Sequence, residues 1–142
     1  MATVELRFSA LPEHVRTARL VAAAVARRAG VDEAVLDEVR LAVGEACTRA
    51  VGLHLSNGVE APVRVILTEE EKKFSIEVGD ESPTSAALAT GSHPEVDDEA
   101  EGEDEMGLAV ISGLVDDVEV TSSESGGVIR MSWPTSPQPL VS

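Results

Sequence analysis

Along the first half of the chain the apolar positions switch between alternate and helical spacing, and each switch marks an element. Residues 4–8, VELRF, alternate apolar and polar, the signature of a half-buried strand. From Pro12 to Gly30 the spacing lengthens, with Val15, Ala18, Val21 or Ala22, and Val25 forming a helical stripe. Proline near the start and glycine just past the end is the order a helix favours. Asp32 is positioned to cap a second helix, because its carboxylate can accept the first free backbone N–H groups. That stripe runs through Leu36, Val39, Val43, Ala46 or Cys47, and Ala50 to about Leu53, and Ser56-Asn57-Gly58 ends it. Residues 63–68 (VRVILT) and 74–78 (FSIEV) return to strand character and, joined by the charged EEEKK turn, predict an antiparallel hairpin.

From Asp80 to Glu105 the apolar pattern lapses. Eight of the eleven residues in 95–105 are acidic, too few apolar groups to order the run by burial, so 82–105 is expected to form a flexible, lid-like acidic loop. MGLAVISGLV then predicts a short helix, and VEVTS and VIRMSW predict two strands across an ESGG turn, with Gly113, Gly126 and Gly127 as packing or turn residues. The tail, 134–142, is expected to be disordered. Strand, helix, helix, hairpin, loop, helix and hairpin in that order predict an α+β fold. Its form is a two-layer sandwich with a mixed, mostly antiparallel sheet and helices on one face, as one domain over 1–133.

Composition narrows the chemistry. The 142 residues suffice for one core, and with aromatics at 2 % that core must be built from Val, Leu, Ile and Ala. A net charge of −15 argues against direct contact with nucleic acid or an anionic membrane, since phosphates repel such a surface. Arg16, Arg19, Arg27 and Arg28 lie mostly off the apolar stripe of the first helix, which makes it the main basic surface of an acidic protein. Cys47 is the only cysteine, which excludes an internal disulfide and suits a small apolar position. His54 reads as a surface or cap residue, and His14 and His93 have no metal-ligand spacing, so no metal site is expected from the histidines. No secretion signal opens the chain and no run approaches the ~18 apolar residues of a membrane span, so a cytoplasmic location is expected.

Several stretches resemble the GHKL-type (Bergerat-type) ATPase fold, and within it the bacterial anti-sigma factors that are also serine kinases. LDEVRLAVGEACTRAV resembles their nucleotide-binding helix, in which a glutamate is followed four residues later by asparagine. VGDESP stands where the family has an aspartate and a glycine-rich turn. EMGLAVISGLVDDVEV is similar to the second glycine box with its succeeding helix and strand, and SGGVIRMSW to the closing hairpin. The resemblance spans residues 3–133. It implies Glu45 as general base for phosphoryl transfer to a protein serine, a role a carboxylate can fill. Arg49, Asp80 and Gly107 fall in the nucleotide site, at the magnesium ligand, the adenine contact and the phosphate box respectively. ATP and magnesium would be the cofactors if that activity is retained. The implied partners are a sigma factor, a STAS anti-anti-sigma protein and a second copy of the chain in a homodimer. Arg19 resembles the arginine that contacts both protein partners, with Arg16 beside it.

The departures matter as much. A guanidinium has five donors and no acceptor, so Arg49 cannot coordinate a cation. Either the metal is absent, or the arginine neutralises phosphate, or it pairs with Glu45 and plugs the site; the pair is the favoured reading. Pro83 replaces the flexible glycine turn, and Glu105 stands where a glycine should offer its amide to phosphate. The leading expectation is an anti-sigma-like regulator whose ATP use is weakened or lost, with no cofactor required and no enzyme activity. An active ATP- and magnesium-dependent serine kinase, and an unrelated acidic interaction domain, are the alternatives.

Overall fold

The computed structural model describes residues 2–82, 110–115, 117–123 and 126–135. Gly107, Glu105 and all of the expected acidic loop except Ser82 lie outside the described residues, as does the tail from 136.

Strand β1 (Ala2–Phe8) leads into α1 (Pro12–Ala29), which opens on proline and closes at Gly30. Gly30 adopts φ 102°, and its N–H reaches the Ala26 and Arg27 carbonyls, a stop that a side chain would strain. Asp32 caps a single 3-10 turn, Glu33–Val35, by accepting the Ala34 N–H at 2.9 Å, and α2 (Leu36–Asn57) continues directly from that turn. The predicted cap is therefore real but acts one turn ahead of α2. The remaining strands are β2 (Val63–Glu69), β3 (Lys73–Asp80), β4 (Asp117–Ser123) and β5 (Gly126–Pro134). Residues 110–114 are helical, within the predicted short helix.

The strands form one sheet in the order β1-β2-β3-β5-β4, and its pairings are all antiparallel. The register aligns Val4, Leu67, Ile76, Met131 and Val118 in one row across the strands, and Leu6, Val65, Val78 and Ile129 in the next. These rows join Ala18, Ala22 and Ala26 of α1 and Val39, Val43 and Cys47 of α2 in a single core. Side chains alternate faces along a strand, so the intervening row, Glu5, Ile66, Glu77, Arg130 and Glu119, lines the opposite and more polar face. This is the predicted α+β sandwich with helices on one face. The sheet expected to be mixed, however, is antiparallel at every pairing among the described strands, because its neighbours in sequence are joined as hairpins or return across the sheet. Burial pushes the Cys47 thiol up to about 12, as expected for a packing residue.

Two boundaries shift. Pro134 completes β5 opposite Lys73, and the Thr135 N–H bonds the Lys72 carbonyl at 3.1 Å, so ordered chain continues past the expected start of the tail. Ser82 is fully buried and cannot belong to an exposed loop. Among the described residues no helix is long and apolar enough to cross a membrane.

Candidate functional site

Helix α2 and the end of β3 build the site. The 22-residue helix carries Glu45 and Arg49 one turn apart, while β3 runs beyond its apolar pattern to finish on Asp80. Arg49 extends from the helix to that strand end. Its Nη1 stands 3.9 Å from Asp80 Oδ2, and the two side chains are only 5 % and 3 % exposed. The other carboxylate oxygen, Oδ1, accepts the Ser82 N–H at 2.9 Å. Both oxygens of Asp80 are thus engaged within the chain.

The pair expected between Arg49 and Glu45 does not form; Glu45 is half-buried and makes no ion pair among the described residues. The physical reason is burial. An unpaired carboxylate in the interior is costly, whereas Glu45 keeps access to water, so the guanidinium goes to Asp80. The contact is an ion pair rather than a hydrogen bond, and Arg49 Nε is buried without an acceptor among the described residues.

His54 corrects a second expectation. It is 1 % exposed, with Nδ1 2.9 Å from the Ala61 carbonyl and Nε2 accepting the Glu81 N–H at 2.9 Å. A carbonyl can only accept, so Nδ1 carries the proton and the ring is neutral. The imidazole therefore ties the end of α2 to the approach to β2 and to the residue after β3. Asn57, one turn on, donates from Nδ2 to the Leu53 carbonyl (2.8 Å) and to Ser82 Oγ (3.0 Å). The sequence did hold a signal for these two. Ala50, Leu53, His54 and Asn57 recur at helical spacing, so the stripe carries His54 into the interior and Asn57 to its exposed edge.

Substituting leucine for His54 leaves the Glu81 N–H and the Ala61 carbonyl without their partner, at an expected cost of about 2 kcal/mol in urea denaturation. Amide exchange at Glu81 should quicken by at least the same equilibrium factor. A loss below ~0.5 kcal/mol would show that the ring carries none of this load.

On the other flank, Gly126 at the start of β5 lies against the Asp80 backbone; a Cβ there would stand 2.0 Å from the Asp80 carbonyl oxygen. Across the helix layer, Arg16 and Arg19 are exposed on α1, beside Leu20, which is 58 % exposed. Arg19 lays its aliphatic stem along Gly44, the residue before Glu45, with Cδ 3.0 Å from where a Cβ would sit. The structure thus brings Arg49 and Asp80 together and Arg19 next to the Glu45 turn.

An antiparallel sheet with α1 and α2 on one face, and a strand-end aspartate facing the second helix, defines a class of protein. The chain belongs to the histidine kinase-like ATPase domain family, whose sequence pattern it matches over residues 8–133. Within that family it is similar to the serine-protein kinases RsbW. It is 30 % identical to that of Oceanobacillus iheyensis over 134 residues, which cover 91 % of this chain and 84 % of the relative. It is 32 % identical to that of Bacillus velezensis over 139 residues, with 90 % and 82 % covered. A solved structure of the RsbU and RsbW domains of a Mycobacterium tuberculosis protein shares the fold, with a TM-score of 0.67 at 15 % identity over 100 % of this chain and 35 % of that one. The chain therefore spans about a third of that longer protein. Membership of the anti-sigma and serine-kinase family removes the reading as an unrelated acidic domain.

Proposed function

We propose that the chain is an anti-sigma-like regulator of transcription that works by partner switching, with its nucleotide site closed from within. The observation that carries this reading is the engagement of Asp80. The carboxylate that would meet an adenine amino group instead accepts the Ser82 N–H and faces the buried Arg49 guanidinium. The residues present do not fit a magnesium nucleotide. The position of the metal ligand holds a side chain with no acceptor. Bringing a triphosphate to a protein of net charge −15 also calls for compensating cations, and the usual one has no ligand here.

What remains is a protein-binding surface. Arg16 and Arg19 flank the exposed Leu20 on α1, an apolar centre with cationic surroundings suited to an acidic partner. A STAS anti-anti-sigma protein or a sigma factor, bound by a homodimer of this chain, is the partner class.

Calorimetric titration with ATP and ADP, with and without magnesium, tests the reading. No micromolar binding is expected for the natural sequence, and little gain for Arg49→Asn, because Pro83 and Glu105 remain. Micromolar, magnesium-dependent binding by the unaltered protein would overturn it. The second reading, an active serine kinase, draws on Glu45, whose half-buried carboxylate has no ion-pair partner among the described residues. Phosphate transferred to a STAS serine, and lost in Glu45→Ala, would establish that activity.

A further inference from the structure

The far end of the sheet holds a second concavity. β3 begins there at Lys73 and ends at Asp80, so the two sites are separated by roughly 20 Å of strand at ~3.3 Å per residue. The cleft has a volume of about 410 Å³, within the roughly 300–1,000 Å³ typical of small-molecule sites. It opens where the two layers part. Val35, on the turn before α2, and Leu114, at the end of the short helical stretch, form apolar walls with Trp133 of β5. Trp133 stacks on Phe74 at a centroid distance of 6.4 Å, and its buried indole N–H has no acceptor among the described residues.

Charge of both signs surrounds that apolar floor. Lys72 of the β2–β3 turn lies on the lining, as do Glu38 of α2 and Asp117 of β4. None of these three makes an ion pair with another described residue. A purely apolar ligand would leave them unused. A simple anion would meet Glu38 and the field of a chain at −15. A ligand with an apolar body, an ammonium and a carboxylate uses every wall.

From this we infer that the cleft is a binding site for a small amphipathic zwitterion, an apolar free amino acid. The carboxylate faces Lys72, the ammonium faces Glu38, and the side chain lies among Val35, Leu114 and Trp133. The inference stands apart from the nucleotide question, because neither Arg49 nor Asp80 lines the cleft.

Trp133 is the only tryptophan, so its emission reports on this cleft alone. The test is titration of the full chain with L-leucine at low salt, read by tryptophan fluorescence. A saturable change is expected, and L-leucinamide and isocaproate, each lacking one charge, should bind at least about tenfold more weakly. Lys72→Glu, at an exposed position, should weaken leucine by about the same factor while leaving thermal unfolding unchanged. No saturable change up to about 10 mM, equal binding of the single-charge analogues, or unaltered binding in Lys72→Glu would each overturn the assignment.

Discussion

Replacing Arg49 by methionine is expected to destabilise the protein by about 3–5 kcal/mol, most of which returns when Asp80 is changed to asparagine in the same chain. The asymmetry comes from burial. Methionine fills much of the volume of the arginine stem but leaves the Asp80 carboxylate, 3 % exposed, without a counter-charge. Asparagine removes that charge and keeps an oxygen for the Ser82 N–H, now 2.9 Å from Oδ1. Urea denaturation of the two single variants and the double variant measures the coupling directly. If Arg49→Met costs under ~1 kcal/mol, Arg49 is not the structural counter-ion of Asp80, and the closed-site reading loses its main support.

The second large effect belongs to a residue without a side chain. Gly126 has φ 144°, and a Cβ would come within 2.0 Å of the Asp80 carbonyl oxygen and 2.7 Å of Glu81 Cα. These neighbours are backbone atoms held by the β3–β5 ladder, where Asp80 pairs with Gly127, so they cannot turn aside as a flexible side chain would. Gly126→Ala therefore combines backbone strain with overpacking, and the expected loss is about 3–5 kcal/mol. Gly113→Ala is the matched control. None of the described residues lies within 4 Å of the added methyl, so its effect should stay within about 1 kcal/mol. Similar losses in both variants would contradict the steric account.

The fold was largely written in the spacing of apolar residues. Both long helices, the central hairpin and the closing hairpin can be read from periodicity and from Pro12, Gly30 and Gly58, because each element buries a regular face. The site was legible only in part. Arg49 and Asp80 could be singled out by resemblance, yet local spacing favoured Arg49 with Glu45, since a helix brings residues four apart together. The deciding factor was the cost of a buried charge on a strand distant in sequence, and only the assembled layers reveal that burial. His54 was misread for the same reason. A helix end is usually wet, but here residues 80–82 fold over it and its ring bridges Ala61 and Glu81. The strand ends also outran their patterns, because backbone pairing continued after the alternation of side chains had stopped.

The buried Cys47 has a practical consequence. It is the chain's single thiol, enclosed between α2 and the sheet, with its proton held up to about 12 by desolvation. An alkylating reagent can react only during moments when the helix lifts from the strands, so labelling kinetics without any engineered residue become a clock for the opening of the core.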